Sequence, residues 1–316
     1  PFSAFPSKHH SNSSRTLIRC HGNICSYSLK SHMYSKKIRS ANNRIIVIDE
    51  AQRVSEIGLT LKRITDNFTN VQLLVTGSSS FELQSNLNEP LTGRKYEYHL
   101  YPISTAELYD NQGLLPVKQM FESRLIYGSY PDIINHTDEA KELLMNIANS
   151  YLYKDLLAMN EIRRPILLEK LLIALALQVG SEVSYNEVAQ TIGTDNKTVE
   201  KYIDLLEKCY VIFRLNAFNR NLRTELKKSK KIYFYDNGIR NAVIQNFAPL
   251  SLRQDTGALW ENFFISERIK ANHYNGNYAK SFFWRTTQQQ EIDYIEEADG
   301  NFTAFAMKWD PNKRPI

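Results

Sequence analysis

The chain has three cysteines in 316 residues, no apolar run of membrane-spanning length and, before Asp49, not one aspartate or glutamate. Each scarcity excludes something. Cys20, Cys25 and Cys209 have neither the density of a disulfide-stapled secreted domain nor the paired spacing of a zinc site, which points to a reducing, cytoplasmic setting. A helix needs about 18 consecutive apolar residues to cross a bilayer, and no stretch approaches that length, so no membrane partner is expected. The acid-free start is crowded with Ser, His, Lys and Arg, as in Ser11-Asn12-Ser13-Ser14-Arg15 and Ser35-Lys36-Lys37-Ile38-Arg39, and such a composition cannot bury a core. Residues 1–40 are therefore expected to be a disordered or out-of-family leader, and a start at Pro1 reads as a fragment.

What is present suits a multi-domain chain. A hydrophobic content of 42% is enough for real cores, and the length fits about two or three domains. The net charge of +5 permits a nucleic-acid partner without demanding one. The most informative stretch is Ile45-Ile46-Val47-Ile48-Asp49-Glu50-Ala51. Its unbroken branched apolar run predicts a central parallel strand covered on both faces, ending in two carboxylates at the crevice where α/β sheets bind ligands. Ile57, Leu61 and Ile64 predict a helix over 55–67, and Val71-Gln72-Leu73-Leu74-Val75 predicts a second parallel strand running into Thr76-Gly77-Ser78. Such a βαβ unit sets Thr76 and Ser78 beside Asp49 and Glu50. The pattern suits phosphate chemistry, in which one acid holds a hydrated Mg²⁺ and the other orients water.

These blocks resemble the AAA-type P-loop ATP-binding proteins of bacteria and archaea that carry an uncharacterised C-terminal domain. The matching residues are Ile48-Asp49-Glu50-Ala51-Gln52, Val75-Thr76-Gly77-Ser78-Ser79, Leu91-Thr92-Gly93-Arg94, Leu100-Tyr101-Pro102-Ile103-Ser104 and Tyr127-Gly128-Ser129-Tyr130-Pro131, in order, from about residue 44 to the end. The resemblance implies ATP and Mg²⁺ as cofactors, with Asp49 as metal ligand, Thr76 beside the nucleotide, and Glu50, Ser78 and Arg94 as catalytic, sensor and phosphate-charge residues. The chain departs from the family at the phosphate loop: no Gly, four residues, then Gly-Lys-Ser/Thr occurs, and Lys30-Ser31 is the nearest approach. That loop supplies several charge-assisted bonds of about 1.5–3 kcal/mol each, against about −8 kcal/mol for micromolar binding, so hydrolysis by this chain is expected to be impaired.

Ser104-Thr105-Ala106-Glu107 reads as a capping box opening a helix, part of an expected lid. Further on, an apolar helix over 166–179 ends at Gly180, Ser184 caps a short helix, Gly193 turns, and Asn196 is the expected cap of a helix that buries Val199, Tyr202, Ile203 and Leu206. With strands over 210–215 and 231–235 this reads as a winged helix. Asn196, Lys197, Thr198 and Lys201 are the candidates for contacting duplex DNA; Arg220, Arg223, Lys227, Lys228, Lys230 and Lys231 would arm the wing; Glu200, Asp204 and Glu207 oppose the contact. A helix with Trp260-Glu261-Asn262 and strands carrying Asp293 and Lys308 resemble a restriction-endonuclease-like core, degenerate because Ala306 stands where an acid is expected and cut short after Trp309.

The sequence thus predicts an α/β chain in four parts: the leader 1–40, an incomplete P-loop NTPase parallel sheet with lid over 41–150, an α+β winged helix over 151–235, and a nuclease-like α/β domain over 236–316. An ATP-binding AAA-type ATPase, impaired as it stands, is the favoured function. A non-enzymatic DNA-binding or protein-interaction module, acting with a protein partner or as a homo-oligomer, is the alternative, and a degenerate Mg²⁺-dependent nuclease the third.

Overall fold

The computed structural model describes residues 16–18, 44–51, 54, 56–77, 95–152, 164–218, 230–286, 288 and 290–309. They belong to two compact units, residues 1–98 and 99–316.

In the first unit, β1 (Thr16–Ile18), β2 (Arg44–Ile48), α1 (Ile57–Asn67) and β3 (Val71–Val75) build a parallel sheet in the order β1-β2-β3. Leu17 lies opposite Val47 and Ile48 opposite Val75, so β2 is central, as its apolar run requires. Two expectations need correction. The segment 1–40 is not wholly a leader, because residues 16–18 pair with β2; a strand of only three residues is too short to show a periodicity. Nor is β2 covered evenly: Ile46 and Ile48 are buried with Ile57 and Leu61 of α1, whereas Ile45 is 42% and Leu74 46% exposed. Among the described residues α1 covers one face of the sheet only.

The second unit opens with α2 (Thr105–Gln112), α3 (Leu114–Gln119), α4 (Phe121–Tyr127), α5 (Pro131–Asn135) and α6 (Ala140–Asn146), which passes into a π-helical stretch, Ile147–Leu152. The capping box at α2 is present: Ser104 Oγ accepts from the Glu107 N–H, and Glu107 accepts the Ser104 N–H at 2.8 Å. Then follow α7 (Pro165–Leu177), β4 (Glu182–Val183), α8 (Tyr185–Ile192), α9 (Asn196–Lys208), β5 (Ile212–Ala217), β6 (Lys230–Phe234), α10 (Asn237–Val243), α11 (Thr256–Tyr274), β7 (Lys280–Arg285), β8 (Glu291–Ala298) and β9 (Asn301–Phe305). Leu168, Leu171, Leu172 and Leu175 of α7 are fully buried, each contributing about 1.5–3 kcal/mol of apolar transfer.

The six strands form one sheet, β4-β6-β5-β7-β8-β9, antiparallel except where β5 meets β7, with Asn216 opposite Phe282. A boundary at 235/236 therefore cuts through a single sheet and a single core that runs from Ile133 to Tyr294. Likewise the helices expected as a lid, 105–146, lie in the second unit. Local periodicity finds strands but not the pairing of β5 with a strand more than 60 residues later.

Polar side chains bolt this unit together. Asp236 caps α10, accepting the Ile239 N–H at 3.2 Å, and reaches across to the Ser129 N–H at 2.7 Å. Asn237 donates to the carbonyls of Leu125 and Leu259, Asn241 to that of Ile126, and Asn262 bonds both backbone groups of Phe234. The Tyr127-Gly128-Ser129-Tyr130-Pro131 block thus serves the packing around α10.

Candidate functional site

Asp49 and Glu50 follow β2, and Thr76 follows β3, so all three stand at the carboxyl ends of adjacent parallel strands. Thr76 Oγ1 donates to Asp49 Oδ1 at 2.5 Å and accepts the Glu50 N–H at 3.3 Å. Backbone bonds fix the pair: the Thr76 N–H donates to the Ile48 carbonyl, and the Ala51 N–H to the Thr76 carbonyl, each at 2.9 Å. Glu50 has φ +52°, the left-handed region that bulky residues rarely adopt, so the chain turns sharply just after Asp49. All three side chains are partly exposed. Asp49, oriented by the threonine hydroxyl, is a fitting ligand for a hydrated Mg²⁺, which usually keeps several waters and takes one or two carboxylates. Ser78 and Arg94 lie outside the described residues.

The helix pair α8 and α9 forms as its signals required, with one change. Ser184 accepts from the Glu187 N–H, and Gly193 takes φ +77° at the turn, but Asp195 rather than Asn196 caps α9, accepting from the Thr198 N–H at 2.9 Å and its hydroxyl at 2.7 Å. These bonds hold the exposed Asp195 carboxyl below its ordinary pKa. Asn196 donates to Asn186 Oδ1 at 2.6 Å. Two of the four candidate DNA contacts, Asn196 and Thr198, therefore bond within the turn, while Lys197 and Lys201 line a shallow groove on α9 with Glu200, Asp204 and Lys208. Asp204 and Glu207 are ion-paired to Arg214 of β5, at 2.8 Å for Asp204. Burial works against the Arg214 charge, but Glu207 and Tyr185 more than offset it and raise its pKa.

Glu261 and Asp293 sit on α11 and β8 as expected, whereas Lys308 is exposed and lies beyond the end of β9 at Phe305. A strand reaching Trp309 is thus not formed; Asp293 Oδ2 instead accepts the Met307 N–H at 2.6 Å as the chain leaves the sheet. Lys231, expected on the wing, is turned inward and is 1% exposed; its neighbour Lys230 lies over the Tyr185 ring. The Lys231 ammonium stands 2.6 Å from Glu291 and 3.2 Å from Glu261, with the Phe283 ring at 5.4 Å, and Tyr233 donates to Glu261 at 2.6 Å. Burial opposes the lysine's charge, yet Glu261 and Glu291 hold its pKa above the ordinary value; burial pushes Glu261 and Tyr233 up. The signal missed was strand alternation, which places 231 and 233 on the same face as each other and opposite to 230. Of the other wing residues, Arg220, Arg223, Lys227 and Lys228 lie outside the described residues.

With this geometry in place, comparison with known proteins divides the chain. Residues 16–109 match an AAA domain, of the P-loop NTPase superfamily, so the amino-terminal segment from Thr16 belongs to that match. Residues 118–250 match a domain of unknown function, DUF8612, and residues 256–316 another, DUF4143. An uncharacterized protein of Haemophilus influenzae is 27% identical over 224 residues, covering 67% of this chain and 56% of its own length. Uncharacterized protein Rv2008c of Mycobacterium tuberculosis is 25% identical over 272 residues, 84% of this chain and 58% of its own. Uncharacterized protein MJ1637 of Methanocaldococcus jannaschii is 25% identical over 273 residues, 75% and 56% respectively. The chain thus spans between 56% and 58% of the length of these relatives. No solved structure matches it. Among the described residues no helix is long and apolar enough to cross a membrane.

Proposed function

We propose that the first unit is a nucleotide-binding AAA-type core in which Asp49 holds Mg²⁺ through water, Thr76 orients Asp49, and Glu50 orients the attacking water. The observation that carries this reading is the 2.5 Å bond from Thr76 to Asp49 across the carboxyl ends of two parallel strands. A hydroxyl there fixes which carboxylate oxygen remains for the metal shell, as supporting partners of metal ligands do. The sequence contains no glycine-rich phosphate loop, so phosphate binding rests on the metal and Arg94, and hydrolysis is impaired. Calorimetry of Mg-ATP with the full chain is expected to give weak binding, with Kd on the order of a millimolar, about −4 kcal/mol. Asp49→Asn is expected to weaken it about tenfold or more, the loss of one charge-assisted interaction. Binding at micromolar Kd, or binding indifferent to that substitution, would count against the site.

A second reading, in which α8, α9, β5 and β6 act as a winged helix on duplex DNA, draws support from Arg214. By pairing with Asp204 and Glu207 it takes up two of the three acids that oppose a phosphate backbone, beside a groove lined by Lys197, Lys201 and Lys208 together with Glu200. The anionic Asp195 cap moves any contact from the helix end to its middle turns. Lys197→Ala with Lys201→Ala is expected to weaken duplex binding regardless of sequence and to lower the slope of log Kobs against log salt by about two. An unchanged slope would reassign α9 to a protein contact.

A further inference from the structure

The carboxyl-terminal acids are where the nuclease-like resemblance implies Mg²⁺, and the residues present do not fit one. Glu261 of α11 and Glu291 of β8 close on a side chain from β6 rather than on an open position, and the Asp293 charge acts on Glu261. The ammonium of Lys231 is within 3.2 Å of two carboxylates, lies over the Phe283 ring and is 1% exposed. Tyr233, two residues on along the same face of β6, donates to Glu261 and uses part of its coordinating capacity. Asp293 spends Oδ2 on the Met307 backbone. Among the described residues no three His, Cys, Asp or Glu side chains are grouped closely enough to hold a metal ion. The lysine that the resemblance would use, Lys308, is exposed past the sheet's last strand.

We infer that Lys231 is the resident cation of this pocket: its ammonium stands in the place of a divalent metal, closing the site to Mg²⁺ and tying β6 to α11 and β8. The physical basis is charge and room. Two partly buried carboxylates, 15% and 28% exposed, are stabilised by a positive partner, and a lysine held by the strand supplies it permanently at no entropic cost of capturing an ion. A divalent ion entering as well would meet the ammonium's repulsion within about 3 Å, so lysine and metal exclude one another. The module then works as a scaffold. This inference stands apart from the nucleotide reading, since no residue is shared between the two sites.

The test is a Mn²⁺ titration of the full chain, with free Mn²⁺ read by electron paramagnetic resonance, on the wild type, Glu261→Gln, Lys231→Ala and the double variant. Lys231→Met, which keeps the stem's volume without its charge, replaces the alanine variant if circular dichroism shows that variant unfolded. The expected result is no Glu261-dependent site in the wild type, a weak one-per-chain site held by Glu261 and Glu291 with water when Lys231 is replaced, and loss of that site in the double variant. Any site due to Asp49 is common to all four proteins and cancels. A wild-type site that Glu261→Gln abolishes would overturn the inference, as would a folded Lys231 variant that gains no Mn²⁺.

Discussion

Replacing Gly128 with alanine is expected to cost more than about 4 kcal/mol, a large share of the 5–15 kcal/mol that holds a typical domain together. A Cβ at this position would lie 1.9 Å from Asp236 Oδ1 and 2.5 Å from its Cγ. Asp236 cannot swing aside, because its carboxylate caps α10 and binds the Ser129 N–H while itself buried. Backbone conformation adds to the cost, since Gly128 has φ +75°. Gly113 provides the control: it has φ +81° and ψ −179°, but a Cβ there meets nothing within 4 Å, so Gly113→Ala should cost only the backbone strain, about 1–3 kcal/mol. Urea unfolding of both variants separates steric from conformational cost. Equal losses would mean that the interlock between residues 127–131 and α10 is looser than described.

The second large effect concerns Asp255, just before α11. Its carboxylate takes two bonds from Arg253, both at 2.8 Å, and one from Arg240 at 2.5 Å. Both arginines are almost wholly buried, and Arg240 also donates to the Ala176 carbonyl at 2.7 Å, linking α10 to α7. Burial pushes the Asp255 carboxyl up, but the two guanidinium partners outweigh it and bring its pKa down to about 2. Asp255→Ala leaves two buried cations without their shared counter-charge, a loss of about 3–5 kcal/mol at neutral pH. Because the folded pKa is depressed below the unfolded value of about 3.9, this contribution is present in full above about pH 4. It disappears as pH falls toward 2. The gap between wild type and variant, measured from pH 7 downward, should therefore narrow at acid pH. A gap of unchanged size through pH 2 would show that Asp255 acts by shape and not by charge.

The sequence made some of this fold legible and hid the rest for identifiable reasons. The run Ile45–Ile48 and the helical spacing of Ile57 and Leu61 are local patterns, and both elements form where periodicity puts them. Thr76 was placed beside Asp49 because parallel strands in register bring equivalent ends together, and Ile48 lies opposite Val75. Asp195, one residue before the expected Asn196, caps α9, since both are good caps and only geometry chooses between them. What stayed hidden is long-range. Lys231 reads as a surface charge next to Lys230, and only the pairing of β6 with β5 and β4, under α11, shows that it faces Glu261. The same is true of Arg214, whose partners on α9 precede it by seven and ten residues. Composition separates domains poorly when one sheet runs through them, as β5 and β7 do here.

In the proposed nucleotide site Asp49 and Thr76 face the metal of a bound nucleotide. The most direct test of this placement is methyl NMR of threonine-labelled full chain during titration with Mn²⁺-ATP, in which the paramagnetic ion broadens resonances close to it. The Thr76 methyl signal is expected to broaden ahead of other threonines, and Asp49→Asn to remove the effect. A Thr76 signal that stays sharp while other threonines broaden would contradict this placement.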